Sequence, residues 1–125
     1  MTKFSTSWKS SKKPRKQRKY RLDAPLNIKH KFIHAHLSKN LRAKYGRRSI
    51  GLRKGDKVKV MSGQFRKNEG NIERIDIKRI RVFVSGIETA KKDGTKRLLP
   101  LHPSNLMITD LSLDDKLRQN KLVRN

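Results

Sequence analysis

Cysteine is absent from this sequence, which excludes disulfides and thiolate metal sites and leaves the chain compatible with a reducing compartment. Apolar residues are few: 33% of 125 residues, against 35% charged, so a core spread over the whole length is not expected. Part of the chain must be extended or ordered only by a partner. No run approaches the ~18 apolar residues of a membrane span. No apolar stretch follows the N-terminal lysines, so no signal peptide is expected. The acid-free, serine-bearing start suits a mitochondrial transit peptide only in part. It is rich in lysine rather than arginine and has no amphipathic face, so it reads as part of the mature protein.

Acids are the scarcest class relative to their counterpart, with 10 Asp and Glu against 34 Lys and Arg and a formal charge of +24. Such a chain repels itself and calls for a counter-charged partner. The imbalance is lopsided: residues 1–55 contain a single acid, Asp23, whereas the remainder is more evenly mixed. A basic arm therefore leads into a more balanced domain. An anionic membrane would need an amphipathic helix with a broad apolar face. Residues 1–25 offer only Met1, Phe4, Trp8, Tyr20 and Leu22 as large apolar groups, at no helical period. Acidic proteins seldom need so basic a counterpart. Nucleic acid is the expected partner, through phosphate neutralisation.

Along the chain, residues 1–22 form the arm, with Pro14 expected to break any helix and keep it extended. Its cations are placed to meet phosphates, with Trp8 or Tyr20 as stacking groups. Residues 23–54 read as a connector. Within it Ser38 suits a helix N-cap and Gly46 the residue just past a C-terminus. Leu37, Leu41 and Tyr45 recur every four residues between them, predicting a short helix over about 38–46. From Gly55 the period drops to two. Val58 and Val60 alternate with lysines, and strand signals recur at 71–77, 80–84, 96–101 and 106–111. Imperfect alternation around Ile72 and Ile75 predicts a bulge, and Asp93-Gly94 a hairpin turn. Five short strands between residues 55 and 111 are too few for a sandwich, so the expected fold is mainly β, a small bent five-stranded barrel. Residues 112–125 read as a polar tail, with Asp114 and Asp115 in the first turn of a frayed helix.

The most specific feature is the string Gly55-Asp56-Lys57-Val58-Lys59-Val60-Met61-Ser62-Gly63, followed by Glu69-Gly70-Asn71-Ile72-Glu73-Arg74-Ile75. Valines at period two bury one face, Asp56 starts the strand, and Gly63 and Gly70 admit backbone conformations or close approaches that a side chain forbids. Between the glycines, Gln64, Arg66 and Lys67 are pushed out towards a partner. This string resembles the KOW motif: a strand, a basic loop, an essential glycine and a second strand.

The likeness extends further. The runs Leu37-Ser38-Lys39-Asn40-Leu41-Arg42-Ala43-Lys44-Tyr45-Gly46-Arg47-Arg48-Ser49-Ile50 and Leu101-His102-Pro103-Ser104-Asn105-Leu106, with Pro14-Arg15-Lys16 and Ala24-Pro25, cover nearly the whole chain. They are similar to the eukaryotic and archaeal branch of a KOW-containing family of the large ribosomal subunit, numbered twenty-six in eukaryotic naming and twenty-four in bacterial. The leading arm and tail look eukaryotic.

The resemblance implies an SH3-like barrel on large-subunit ribosomal RNA, near the nascent-chain exit and beside other large-subunit proteins, with a part in subunit assembly. It also implies residence in the cytosolic ribosome after nuclear and nucleolar passage. Three departures stand out: Arg66-Lys67 replaces the family's Lys-Gly, Asn71 replaces a lysine, and a proline between Ile50 and Arg53 is missing.

The residues expected to meet RNA are Trp8, Lys12, Lys13, Arg15, Lys16, Arg18, Lys19 and Tyr20 in the arm. In the connector they are Arg42, Lys44, Arg47, Arg48, Arg53 and Lys54, and in the KOW loop Gln64, Arg66 and Lys67, with Gly63 and Gly70 as structural positions. An enzyme would need a nucleophile elbow, a phosphate loop or paired carboxylates, and none is written here. His30 and His34 could share a helical face as metal ligands, with His36 close by, yet no third ligand is near and lysines surround them. RNA or packing contacts are the reading for these histidines; no metal, cofactor or small-molecule substrate is implied. Transcription elongation factors also carry KOW modules, but behind a folded α/β domain for which residues 1–54 lack the apolar content. A free-standing RNA chaperone is the remaining competitor.

Overall fold

The computed structural model describes residues 4–7 and 10–124, so Trp8, expected to stack on bases, lies outside the described residues. The arm is not extended throughout. Pro14 opens α1 (Pro14–Asp23) instead of breaking a helix, which corrects the expectation for these residues. At the first helical position the missing N–H would have no partner within the helix, and the ring's fixed φ already suits it. α1 buries none of its residues. It is attached near its C-terminal end. The Tyr20 ring lies 4.8 Å from Phe4 and 6.2 Å from Phe32, the latter edge-on, between centroids. Lys29, buried in α2 (Leu26–Phe32), donates from Nζ to the Leu22 carbonyl at 3.0 Å.

The connector adds more than a helix. β1 (His34–Leu37) and β2 (Ser49–Gly51) pair antiparallel around α3 (Lys39–Tyr45). α3 has the ends its residues demand: Ser38 Oγ accepts from the Leu41 N–H at 3.5 Å, and Gly46 takes the left-handed conformation at φ 64°. Leu37, read as part of the helical stripe, is instead the last residue of β1 and is fully buried. Leu41 and Tyr45 remain half-buried against the core.

β3 (Lys57–Val60), β4 (Glu69–Asp76), β5 (Arg81–Ala90), β6 (Lys96–Leu101) and β7 (Leu106–Asp110) follow. Among the described residues the strands form one seven-stranded sheet in the order β2-β1-β7-β3-β4-β5-β6, with β1 parallel to β7. The fold is mainly β, as expected, and five strands lie between residues 55 and 111, but two more join them in one sheet and the ladder is open at β2 and β6 rather than closed into a five-stranded barrel. The two additional strands, β1 and β2, come from the connector. A register shift between Ile72 and Arg74 marks the bulge that bends β4. The turn at Asp93-Gly94 closes as its chemistry predicts, Gly94 at φ 86° and Asp93 Oδ1 accepting from the Thr95 N–H and hydroxyl.

The core cluster is wholly aliphatic: Ile33, with Ala35 and Leu37 of β1, meets Val58, Val60, Ile72, Val82, Val84, Ile87, Leu106 and Ile108. One residue holds a strained backbone for this. Ile80, at φ 55°, is β-branched in the left-handed region, and its side chain is buried where the β4–β5 turn folds over the sheet.

The segment after β7 does not fray. Asp115 caps α4 (Lys116–Val123), accepting from the Leu117 N–H at 2.9 Å, and Leu122 enters the core. Arg118 reaches across to Asp56, making two bonds of 2.6 Å between guanidinium and carboxylate. Both are buried, at 3% and 0% exposed. Asp56 also accepts from the Arg53 and Ser112 N–H groups, and Arg118 donates to the Ser112 and Gly51 carbonyls. A single buried pair therefore ties α4, the edge of β2 and the start of β3 together.

Candidate nucleic-acid interface

The KOW loop is a stitched turn rather than a slack one. The Lys67 N–H donates to the Val60 carbonyl and the Val60 N–H to the Asn68 carbonyl, both at 2.9 Å, while Phe65 packs half-buried against the core. This leaves Gln64, Arg66 and Lys67 exposed together at one end of the sheet. Gly63 at φ 96° is in a region that side chains rarely adopt. Gly70 matters for a different reason: a Cβ there would collide with the Ser85 carbonyl oxygen and stand 2.8 Å from Val84 Cγ1. β4 can cross β5 this closely only without a side chain.

Lys67, standing where the resembling family has glycine, is held at φ 74°. The left-handed conformation costs an L-residue ~1–2 kcal/mol, and glycine gives back ~0.5–1 kcal/mol through its freer unfolded chain. Lys67→Gly should therefore leave the stability unchanged or raise it by up to about 1 kcal/mol. Gly70→Val must displace backbone and should cost about 2–3 kcal/mol. Urea unfolding of the two variants side by side checks this; equal midpoints would refute the steric account.

The expected cations fall into three groups. Lys12, Lys13, Arg15, Lys16, Arg18 and Lys19 are exposed on α1 and just before it. Tyr20, expected as a stacking platform, has its ring packed with Phe4 and Phe32, so protein already occupies part of its surface. Around α3, Arg48 and Lys44 are exposed, the latter 5.2 Å above its neighbour Tyr45, and Arg42 Nε is tied to the Leu37 carbonyl at 2.9 Å. Arg47 donates to the Arg124 carbonyl and Arg53 pairs with Asp115, so the C-terminal segment holds both, while Lys54 stays exposed. The KOW loop is the third group, at the β3–β4 turn.

Other basic residues escaped the sequence reading. Arg21 and Arg81 lie close enough to His102 to bear on its charge. Lys91, Lys92, Lys96 and Arg97 surround the β5–β6 turn, and that charge run flanking Asp93-Gly94 was visible in the sequence. Nothing in the local sequence announced the Asp56–Arg118 pair, which joins positions 62 residues apart.

Three histidines bind protons less readily than free imidazole. Burial lowers the pKa of His34, helped by Lys121; of His36, helped by Arg42 and Arg48; and of His102, helped by Arg81 and Arg21. Unfolding releases each to its ordinary value near 6.5. The unfolded chain then takes up protons first as the pH falls, so stability is fully present above that pH and declines below it. The urea midpoint of the free protein should be lower at pH 5.5 than at pH 7.5, and an unchanged midpoint would contradict it. Among the described residues no group of three or more His, Cys, Asp or Glu is placed to hold a metal ion.

Over residues 11–125 the chain matches the family model that unites the eukaryotic ribosomal proteins L26 with their archaeal counterparts, numbered twenty-four. It belongs to that family. It is 46% identical over 114 residues to large ribosomal subunit protein uL24 of Methanosphaera stadtmanae, covering 91% of this chain and 97% of the relative. It is 49% identical over 109 residues to the uL24 of Methanothrix thermoacetophila, covering 87% and 94%. The uL24 of Korarchaeum cryptofilum is 48% identical over 114 residues, covering 91% and 87%. The chain is thus a structural protein of the large ribosomal subunit and not an enzyme. No helix of the described residues is long and apolar enough to cross a membrane.

Proposed function

We propose that this uL24-family chain binds large-subunit ribosomal RNA with two implements, a basic helical arm and a KOW loop carried on a rigid sheet. The observation that carries the reading is α1: five of its ten residues are Arg or Lys and none is buried, Asp23 at its end is its one acid, and among the described residues none of these cations is in an ion pair. RNA phosphates supply the counter-charge, and their mutual repulsion falls where RNA helices crowd around the protein. In this reading β3 to β7 act as the SH3-like KOW barrel of the family, with Gln64, Arg66 and Lys67 against the RNA backbone. Recognition is of RNA shape and phosphate rather than base sequence. The protein supports subunit assembly near the nascent-chain exit, beside other large-subunit proteins, in the cytosolic ribosome after nucleolar passage.

Sedimentation of a cell lysate containing the tagged protein through a sucrose gradient tests this. Co-migration with large subunits, ribosomes and polysomes through a high-salt wash is expected. Recovery only in slow fractions would replace the reading with a free RNA chaperone, and recovery only in precursor particles with an assembly factor.

A further inference from the structure

A groove of about 830 Å³ opens between α2, the end of β4 and α4. Of the cations assigned above to RNA, only Arg53 and Lys54 line it. Its floor is aliphatic, with Ile33, Ile50 and Leu52 buried and Ile75 and Ile77 half-buried. Its rim is cationic: Lys31 comes from α2, Lys54 from the loop before β3 and Lys121 from α4, all exposed. No carboxylate lines it, and among the described residues none of these three lysines is in an ion pair.

The wall contains an unusual donor. Arg118 is 3% exposed and four of its N–H bonds are accounted for by Asp56, Ser112 and Gly51, yet its buried Nε–H has no acceptor. The guanidinium thus holds positive charge in the wall that the protein's own acceptors do not fully use. An apolar floor and a cationic rim without carboxylates together describe a ligand with an apolar face and negative charge.

We propose that this groove holds one unstacked ribonucleotide of the bound RNA, its base on the isoleucine floor and its phosphates among Lys31, Lys54 and Lys121. The inference rests on the RNA-binding reading above and deepens it by naming a place where a base, rather than backbone, is met. An acidic peptide fits less well. β2 is an edge strand, but the carbonyl of Gly51 already accepts from Arg118, so a peptide added to the sheet there would meet one acceptor that is already engaged. No Phe, Tyr or Trp lines the groove, but the imidazoles of His30 and His34 do, so the base meets aliphatic carbon and imidazole faces, contacts that tolerate any base identity.

The test uses the full chain labelled at isoleucine methyls and titrated separately with a short single-stranded oligoribonucleotide, a fully paired RNA hairpin stem, inorganic phosphate and a peptide of alternating Glu and Leu. The single-stranded RNA should shift the Ile75 and Ile77 methyls, and the paired stem and phosphate should not. Lys121→Glu should abolish the shifts and weaken the single strand about tenfold, the size of losing one charge-assisted contact. Lys92→Glu, the same charge change on the remote β5–β6 turn, should weaken it less than about twofold, the general electrostatic share. Lys31→Glu, from the opposite wall, gives the same answer if Lys121→Glu disturbs α4.

If the RNA binds while the floor methyls stay still, or both charge reversals weaken it equally, RNA binding stands and the nucleotide groove is wrong. If phosphate alone reproduces the shifts, the groove is a plain anion site. Methyl shifts with the peptide and not with RNA would make it a protein dock. If no RNA binds at all, the RNA-binding reading fails and the groove assignment with it.

Discussion

Arg118→Ala is expected to destabilise the free protein by about 3–5 kcal/mol, the cost of leaving a buried charge without its partner. Asp56 is fully buried, and the guanidinium supplies both of its charge-assisted bonds. Without Arg118 the carboxylate retains only the Arg53 and Ser112 N–H groups, too little to hold a full charge out of water. The loss also removes two donors from the carbonyls of Ser112 and Gly51, so α4 would lose its grip on the sheet edge. Asp56→Ala should be at least as damaging, because it strands a buried cation and two backbone N–H groups together. The measured control is Arg53→Ala, whose pair with Asp115 is exposed and should change stability by only about 0–1 kcal/mol. Urea unfolding followed by circular dichroism reads all three. A midpoint for Arg118→Ala no lower than that of Arg53→Ala would show that the pair does not hold the C-terminal helix.

Removing residues 1–21 should do the reverse, sparing the fold and stripping the affinity. α1 buries nothing, and the core cluster draws no residue from before Ile33. The contact of Phe4 with Tyr20 leaves together with the segment, and the retained chain loses the edge contact of Tyr20 with Phe32. The charge lost is another matter, because Lys12 to Arg21 alone contribute seven cations, five of them on α1. If about five of them meet phosphates, the slope of log K against log salt should fall in magnitude by about 4, and affinity at moderate salt by roughly a thousandfold. Filter binding to a large-subunit RNA fragment across a salt series measures both. Should the truncated protein unfold, or bind with the same slope, the arm is not the electrostatic implement.

The β half of the molecule was legible because its residues report burial directly. Val58 and Val60 alternate with lysines, and β3 buries those valines at the centre of the sheet. β1 was equally written, since Ile33, Ala35 and Leu37 alternate with His34 and His36. Leu37 also sits four residues before Leu41, and the helical period captured it. Only the long-range pairing of β1 with β7 decides between the two, and a local window does not contain β7. Pro14 misled in the opposite sense: the same ring that ends a helix from inside starts one from its first position. Of the interface, the cations and the KOW glycines could be read as types, but not which of them the protein itself would occupy. Arg47 and Arg53 are claimed by the C-terminal segment, and no nearby residue foretells it.

The pairing of Asp56 with Arg118 sets a schedule for synthesis. The two positions are 62 residues apart, so at ~5–20 residues per second the carboxylate waits roughly 3–12 seconds for its cation. Over the same interval β1 lacks the β7 strand it lies beside. The β3–β6 ladder and the β1–β2 pair can each form earlier, but the strand that joins them, β7, and the helix that clamps them come last. α1 is under no such delay. Its charge needs nothing downstream, so the first part of the chain to emerge is competent while the last is still being made.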